Sequence, residues 1–236
     1  MRYIIYFVFL MCALLLSVQA QDRPAVPSPD PTPVPSQVEP NIAFDWAFGA
    51  LIGKNKTMVA ITKDTSLQSG EEIKLYVKLL KDCFVYVFYY GSKGELSLLF
   101  PKNVRQFQTD YQTDKDYYFP VGRAWSKLDE NTGPEKFYIV ASTERLLDVE
   151  AKLGNYLAAD ASKKKTLADD IISDIRNVRK RYSTFATLAE KPITIGGNIR
   201  GTGETVEEAR RPDVSTIATK VTATNFFAKT ITIDHK

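Results

Sequence analysis

The chain has 236 residues, a formal net charge of +3, 44% hydrophobic residues, two cysteines and one histidine. So small a net charge gives no reason to expect nucleic acid as a partner. One histidine and two cysteines supply too few ligands for a zinc site, and they leave Cys83 with His235 as the thiol–imidazole pair to consider. We therefore expect no metal, no cofactor and no nucleic acid.

The first twenty residues have the three parts of a secretory signal peptide. Arg2 gives a charged start, Tyr3–Leu16 is an apolar run, and Val18-Gln19-Ala20 ends the segment with small residues. This pattern predicts cleavage after Ala20 and a periplasmic or extracellular protein. The apolar run is shorter than the roughly 20 residues of a spanning helix, so we expect no integral membrane protein after cleavage. The alternative is that the run stays uncleaved as an anchor.

Residues 21–40 read as a proline-rich tether. Seven of the twelve prolines lie in Asp22–Pro40, a density that favours an extended, stiff chain. Residues 41–236 are then long enough for a single globular domain. Because Cys12 leaves with the signal peptide, Cys83 is the remaining thiol, and its apolar surroundings in CFVYVFYY predict a buried, unreactive side chain.

The first half of the domain has the patterns of β-strands. Lys74, Tyr76 and Lys78 alternate with apolar residues, which predicts one buried and one solvated face for that strand. The next strand is apolar on both faces, as in a strand covered on each side. We predict strands at Thr57–Thr62, Ile73–Leu79, Cys83–Tyr90, Glu95–Phe100 and Phe137–Ala141, with Gly70–Pro101 as a three-stranded antiparallel meander.

The middle of the chain is predicted to be helical and the tail to return to β-structure. Apolar residues spaced three and four apart indicate helices at about Glu144–Ala158, capped by Ser142 or Thr143, and Thr166–Ala186, capped by Thr166. Further strands are expected at Ile193–Ile195, Ile199 and Thr222–Asp234, with Phe227, Ile231 and Ile233 on one face. The fold class is therefore α+β: an antiparallel β-sandwich-like sheet system with an inserted two-helix hairpin.

Catalytic patterns are weak. The glycine-rich segment 196–203 lacks the Lys-Ser/Thr of a phosphate loop and the third glycine of a dinucleotide site. A serine nucleophile would need His235 as its base, and no G-x-S-x-G occurs. Paired carboxylates stay open: Asp129, Glu130 and Glu135 cluster in one loop, and two of them beside a tyrosine could hydrolyse a glycan.

Gly70–Pro101 resembles the start of a bacterial domain of unknown function, DUF4384. The counterparts are Gly70-Glu71, the two strands that follow, Gly94 in a hairpin and Leu99-Phe100-Pro101. A later family feature resembles Gly133-Pro134-Glu135 leading to Phe137–Ser142. The resemblance covers about residues 58–143, and it leaves the helical hairpin (144–186) and the C-terminal β return (187–236) as additions.

The resemblance implies a small β-sandwich-like module of envelope proteins that is also appended to kinases and caspase-like peptidases. A module carried by unrelated enzymes is expected to recognise or to scaffold rather than to catalyse. We therefore expect a non-catalytic envelope module whose partner is an envelope protein or cell-wall material; the alternative is a carboxylate-dependent glycan hydrolase. Tyr76, Tyr117 and Tyr118 are the expected aromatic contact surface, because tyrosine gives large contact area at low entropy cost.

Overall fold

Two β-sheets pack face to face, and a pair of helices covers the outer face of one of them. The computed structural model describes residues 39–182, 188–192 and 211–236. The predicted signal peptide, nearly all of the predicted tether, the predicted strands at 193–195 and 199, and the glycine-rich segment lie outside these residues.

The described residues form twelve strands, with a short helix after the sixth, a pair of helices after the ninth and a 3₁₀ turn before the eleventh. The strands are β1 (Ile42–Ile52), β2 (Thr57–Ala60), β3 (Thr65–Leu67), β4 (Glu72–Leu79), β5 (Phe84–Tyr90), β6 (Leu96–Phe100), β7 (Asp116–Phe119), β8 (Ser126–Lys127), β9 (Gly133–Ser142), β10 (Leu188–Pro192), β11 (Thr219–Ala223) and β12 (Phe226–His235). The helices are α1 (Gln106–Thr109), α2 (Leu147–Ala158) and α3 (Ala161–Tyr182), and Val214–Ile217 forms a 3₁₀ turn.

The first sheet has the order β10–β11–β1–β4–β7, with β2 beside β1 and β8 beside β4. Its pairings are all antiparallel. The second sheet has the order β3–β12–β9–β5–β6, in which β3 runs parallel to β12 and the other pairs are antiparallel. The predicted α+β class, with a sandwich-like sheet system and a two-helix hairpin, is confirmed.

Strand β1 is the centre of the first sheet, and sequence reasoning assigned no strand there. Phe44, Trp46 and Phe48 point into the core between the sheets, and Ala47 and Leu51 point to the opposite face. Both faces are buried along nearly the whole strand. A continuous apolar run of this kind is the signal of a strand covered on both sides.

The predicted three-stranded meander is wrong, because the chain changes sheets after β4. Strand β4 pairs with β1, β7 and β8, whereas β5 pairs with β6 and β9 in the other sheet. The crossing is held by Ala43, whose carbonyl oxygen accepts hydrogen bonds from the N–H groups of Leu80 at 2.9 Å and Lys81 at 3.0 Å. The hairpin of β5 and β6 is the part of the meander that exists.

The helical hairpin is confirmed, but its two predicted N-caps are wrong. Helix α2 begins after Leu146 with no side-chain cap, and Ser142 belongs to β9. Helix α3 begins at Ala161, so Thr166 lies within it. The apolar stripes of both helices pack on the outer face of the second sheet, in a cluster that contains Tyr86, Phe88, Tyr138, Val140, Val149, Leu153, Ile171 and Ile175.

Two tyrosine hydroxyls cover the outer edge of the second sheet. The Tyr111 hydroxyl accepts from the N–H of Val85 at 2.8 Å and donates to the carbonyl of Cys83 at 3.0 Å. The Tyr156 hydroxyl, from α2, accepts from the N–H of Leu96 at 2.9 Å. Backbone groups left unpaired at a sheet edge can form hydrogen bonds with other chains. By occupying two N–H groups and one carbonyl group, these hydroxyls make such pairing less favourable.

Gly49 and Gly154 offer a matched pair of substitutions. A Cβ at Gly49 would lie 2.7 Å from the Cγ2 of Val214 in the 3₁₀ turn, whereas one at Gly154 in α2 would meet nothing within 4 Å. We expect Gly49→Ala to lower the free energy of unfolding by about 1–3 kcal/mol through overpacking. Gly154→Ala should raise it by about 0.5–1 kcal/mol through helix propensity.

Urea unfolding followed by tryptophan fluorescence measures both changes. Equal effects of the two substitutions would contradict the close approach of the 3₁₀ turn to β1.

Candidate functional site

A cavity of about 310 Å³ opens between the sheets on the side where β6, β7 and β8 are edge strands. Its apolar wall comes from both sheets and consists of Ile73, Leu75, Leu99, Phe119, Leu128 and Phe137. Polar residues also line it, namely Lys74, Tyr89, Ser97, Ser126, Lys127, Asp129 and Glu135. A mostly apolar cavity with a few converging polar groups is the usual form of a ligand site.

Glu135 is the buried carboxylate of this cavity. It lies in β9 opposite Ile233 of β12, and its side chain is 7% exposed. Its Oε1 lies 3.0 Å from Nδ1 of His235, whose side chain is 0% exposed. Burial raises the pKa of Glu135; the His235 side chain opposes this shift, and the charges of Asp129 and Glu95 add to it.

His235 links Glu135 to the turn before β4. Its Nε2 lies 3.0 Å from the hydroxyl oxygen of Ser69, and the Ser69 hydroxyl also lies 3.2 Å from the carbonyl oxygen of Lys236. Strand β12 lies inside the sheet between β3 and β9, so pairing on both sides holds His235 in place.

The order Ser69–His235–Glu135 resembles the hydrogen-bonded chain of a hydrolytic triad, but the two N–H groups beside the hydroxyl are not free to form an oxyanion hole. Acyl transfer needs N–H donors aimed at the developing oxyanion. The N–H of Ser69 donates to Lys236 O at 2.7 Å, and the N–H of Gly70 donates to Leu128 O at 2.9 Å. Both donors beside the hydroxyl are thus occupied, and the three side chains act as a pin that fastens β12 to the Ser69 turn.

Asp129 stands at the mouth of the cavity. Its oxygens accept from the backbone N–H of Asn131 at 2.8 Å and from the Asn131 side-chain amide at 2.5 Å, and these hydrogen bonds lower the pKa of Asp129. Burial, followed by the charges of Glu135, Glu95 and Asp129, raises the pKa of the Tyr89 hydroxyl. Three carboxylates therefore surround Tyr89. Among residues 39–182, 188–192 and 211–236, no group of His, Cys, Asp or Glu side chains could hold a metal ion.

The structure brings together two of the three predicted loop carboxylates. Asp129 and Glu135 line the cavity beside Tyr89, whereas Glu130 is exposed and does not contribute to the lining. Cys83 is buried, as predicted, and burial raises its pKa to about 11. The sulfur lies 4.0 Å from the carbonyl oxygen of Ala43, and the His235 ring instead contacts Glu135 and Ser69.

The predicted tyrosine surface is wrong for two of its three members. Tyr76 is 3% exposed because Trp125 and the 3₁₀ turn cover the outer face of β4. Tyr117 is 8% exposed and points into the core between the sheets. Tyr118 is half-buried, and its ring packs 5.3 Å from that of Tyr76. Burial, opposed by a hydrogen bond with Ser215, raises the pKa of Tyr118 to about 12.

Lys74 holds the loop after β7, and it too lies on the face predicted to be solvated. The residue is 3% exposed, and its Nζ donates to three carbonyl oxygens, those of Pro120 at 3.1 Å, Gly122 at 2.6 Å and Ala124 at 2.5 Å. Burial lowers the pKa of Lys74 to about 8.

The fold and the site together define a β-sandwich module with a helical hairpin on one face and a ligand-sized cavity between its sheet edges. Residues 66–145 match the family described as "Domain of unknown function (DUF4384)", which confirms the resemblance predicted from the sequence. The matched segment holds β4 to β9 and hence nearly all of the cavity wall. No curated protein and no solved structure matches the chain. Within the described ranges, no helix combines the length and apolar character that crossing a membrane requires.

The first prediction for this region concerns the pH dependence that Lys74 gives to stability. Because its pKa falls from 10.5 to about 8 on folding, the unfolded chain holds more protons between these values. We expect the unfolding free energy of the wild type, relative to Lys74→Met, to rise by up to about 3 kcal/mol as pH increases through this window.

Urea titrations across this pH range measure the difference. Lys63→Met, at an exposed position, is the control and should show a flat difference. A flat difference for Lys74→Met as well would contradict the effect of burial on this amine.

The second prediction concerns the pin formed by Ser69, His235 and Glu135. We expect His235→Ala to lower the unfolding free energy by roughly 3 kcal/mol, because it leaves Glu135 buried without its partner. Ser69→Ala should stay roughly within 1 kcal/mol, since the hydroxyl is exposed and its loss leaves the backbone bond to Lys236 intact.

A fluorophosphonate reagent tests whether Ser69 is a nucleophile. We expect no covalent adduct by mass spectrometry. An adduct that disappears in Ser69→Ala would show that the occupied N–H groups are released to a substrate, and the pin would then be a catalytic group.

Proposed function

We propose that this chain is a secreted or periplasmic, non-catalytic binding module of the bacterial cell envelope. Its partner would be an envelope protein or cell-wall material. The location rests on the signal-peptide pattern of residues 1–20 and the proline-rich stretch behind it, which would keep the domain away from a surface.

The observation that carries the binding role is the cavity at the sheet edges. It is open to solvent on the side of β6, β7 and β8, and its wall is formed mainly by the family-matched segment. Ser97 of β6 is exposed at this opening, so a partner can reach the cavity without rearrangement of the core.

Glycan hydrolysis is the second candidate, and a specific observation favours it. Asp129 and Glu135 line one cavity together with Tyr89, as a pair of catalytic carboxylates would. The ring nitrogen of His235 at 3.0 Å from Oε1 of Glu135 weighs against it, because a carboxyl already hydrogen-bonded in this way is less free to give up or accept the proton that hydrolysis moves.

A blocking substitution tests the binding role. We expect Ser97→Trp to fill the opening of the cavity and to abolish capture of the envelope partner by the full chain produced with its own leader. Ser162→Trp, at an exposed site on α3, is the matched control and should capture as the wild type does. Affinity capture from envelope fractions followed by quantitative mass spectrometry measures this, with melting temperature as the check on folding.

N-terminal sequencing of the same material tests the location, and we expect it to begin at Gln21. Retention in the membrane with Met1 intact would contradict secretion. Equal capture by Ser97→Trp and wild type would exclude the cavity as the binding site. Turnover of a glycan panel that is lost in both Asp129→Asn and Glu135→Gln would replace the binding module with the hydrolase.

A further inference from the structure

We infer that the cavity binds an alkylammonium group, an ammonium ion at the end of a short aliphatic arm, as in a lysine side chain. This inference rests on the proposed function, since it names the chemistry that the binding module recognises. It is drawn from the charges, the shape and the existing hydrogen bonds of the cavity.

Four charged residues line the cavity, and the two lysines among them direct their ammonium groups away from it. Lys74 Nζ donates to three carbonyl oxygens of the loop after β7, and Lys127 is exposed and lies opposite Glu72, a residue outside the lining.

The carboxylates are therefore the charges that a ligand in the cavity meets. Glu135 lies in the wall and Asp129 at the mouth, and Glu95 is close enough to influence Glu135 electrostatically. Among the described residues, neither Asp129 nor Glu135 forms an ion pair with a lysine or arginine; Glu135 has His235, and Asp129 has the neutral Asn131. A cation entering the cavity would therefore gain Coulomb energy in a partly desolvated setting.

The wall suits an aliphatic arm behind that cation. Leu75, Leu99 and Phe119 line the cavity together with further apolar residues, and the volume of about 310 Å³ is at the small end for ligand sites. A lysine side chain has the matching form, because its methylene groups pack on apolar surface while the ammonium remains paired.

Tyr89 adds an aromatic face and a hydroxyl at the same place. Its ring packs 5.3 Å from that of Phe137, and both residues line the cavity. Burial and the surrounding carboxylates raise the pKa of the hydroxyl, so Tyr89 stays neutral, and its ring can contact a cation. An anionic ligand would instead meet two carboxylates.

The experiment titrates the full chain with Nα-acetyl-lysine methylamide and follows amide chemical shifts by NMR. We expect saturable shifts confined to residues around the cavity. The Nε-acetylated compound keeps the arm and removes the charge, and the norleucine compound removes the amine; both should bind at least about tenfold more weakly.

Variants of the carboxylates test which of them binds the ammonium group. Glu135→Gln should weaken binding of the capped lysine about tenfold, and Asp129→Asn, which leaves the pin intact, about two- to fivefold because that carboxylate is exposed. Asp160→Asn removes the same charge at an exposed site beside α3 and should leave the affinity unchanged. Equal binding of the Nε-acetylated compound, no binding at millimolar concentration, or equal effects of Asp160→Asn and Asp129→Asn would each overturn the inference.

The outcomes also separate this inference from the proposed function. If Ser97→Trp abolishes partner capture but the capped lysine does not bind, the cavity is the binding site and its ligand is not an alkylammonium. If the capped lysine binds the cavity and Ser97→Trp captures normally, the amine site is real and the envelope partner docks elsewhere.

Discussion

Two aromatic contacts between the sheets set the geometry on which the rest of the molecule depends. Phe44 packs edge-on against Phe227 at 5.6 Å, and Phe48 packs against Phe137 at 4.6 Å. Aromatic pairs of this kind contribute beyond the area that they bury, and their size keeps the sheets apart at a constant separation. On the side of β6, β7 and β8 the space between the sheets is not filled, and the cavity lies there between Leu75, Leu99 and Phe119.

The sequence predicts strands and helices correctly where the local pattern of apolar residues agrees with the tertiary contacts that bury them. The apolar run of β5 indicated cover on both faces, and the helical layer and the core provide it. The same signal was present at β1, where Asp45 interrupts the run; Asp45 is nevertheless 9% exposed, and burial raises its pKa. In β4 the polar alternation predicts a solvated face, but the 3₁₀ turn from a distant part of the chain packs on Tyr76 and the loop after β7 binds Lys74. No pattern within β4 reveals that cover.

The sequence predicts only part of the candidate site, because contacts between distant parts of the chain determine the rest. Asp129 and Glu135 were selected as a pair because they are near in sequence, and β9 begins between them and carries Glu135 inward. Glu130 lies in the loop between β8 and β9, where it is exposed and does not line the cavity. His235 could not be found, since its place against Glu135 depends on the pairing of β12 with β9. Strand pairing brings these two residues together from positions a hundred residues apart, and no local sequence pattern indicates such a contact.

The position of the C-terminal strands β11 and β12 inside the two sheets affects the folding rate. Phe44 of β1 pairs with Val221 of β11, and β12 lies inside the second sheet, so neither sheet is complete until the two ends of the domain meet. Such long-range contacts slow folding, because the entropy cost of closing a long loop comes before the stabilising contacts can form. The family-matched segment alone would leave β4 and β9 with open edges. Under the proposed secretion, in which the chain would cross a membrane unfolded, this delay would keep it unfolded until nearly all of its strands are available.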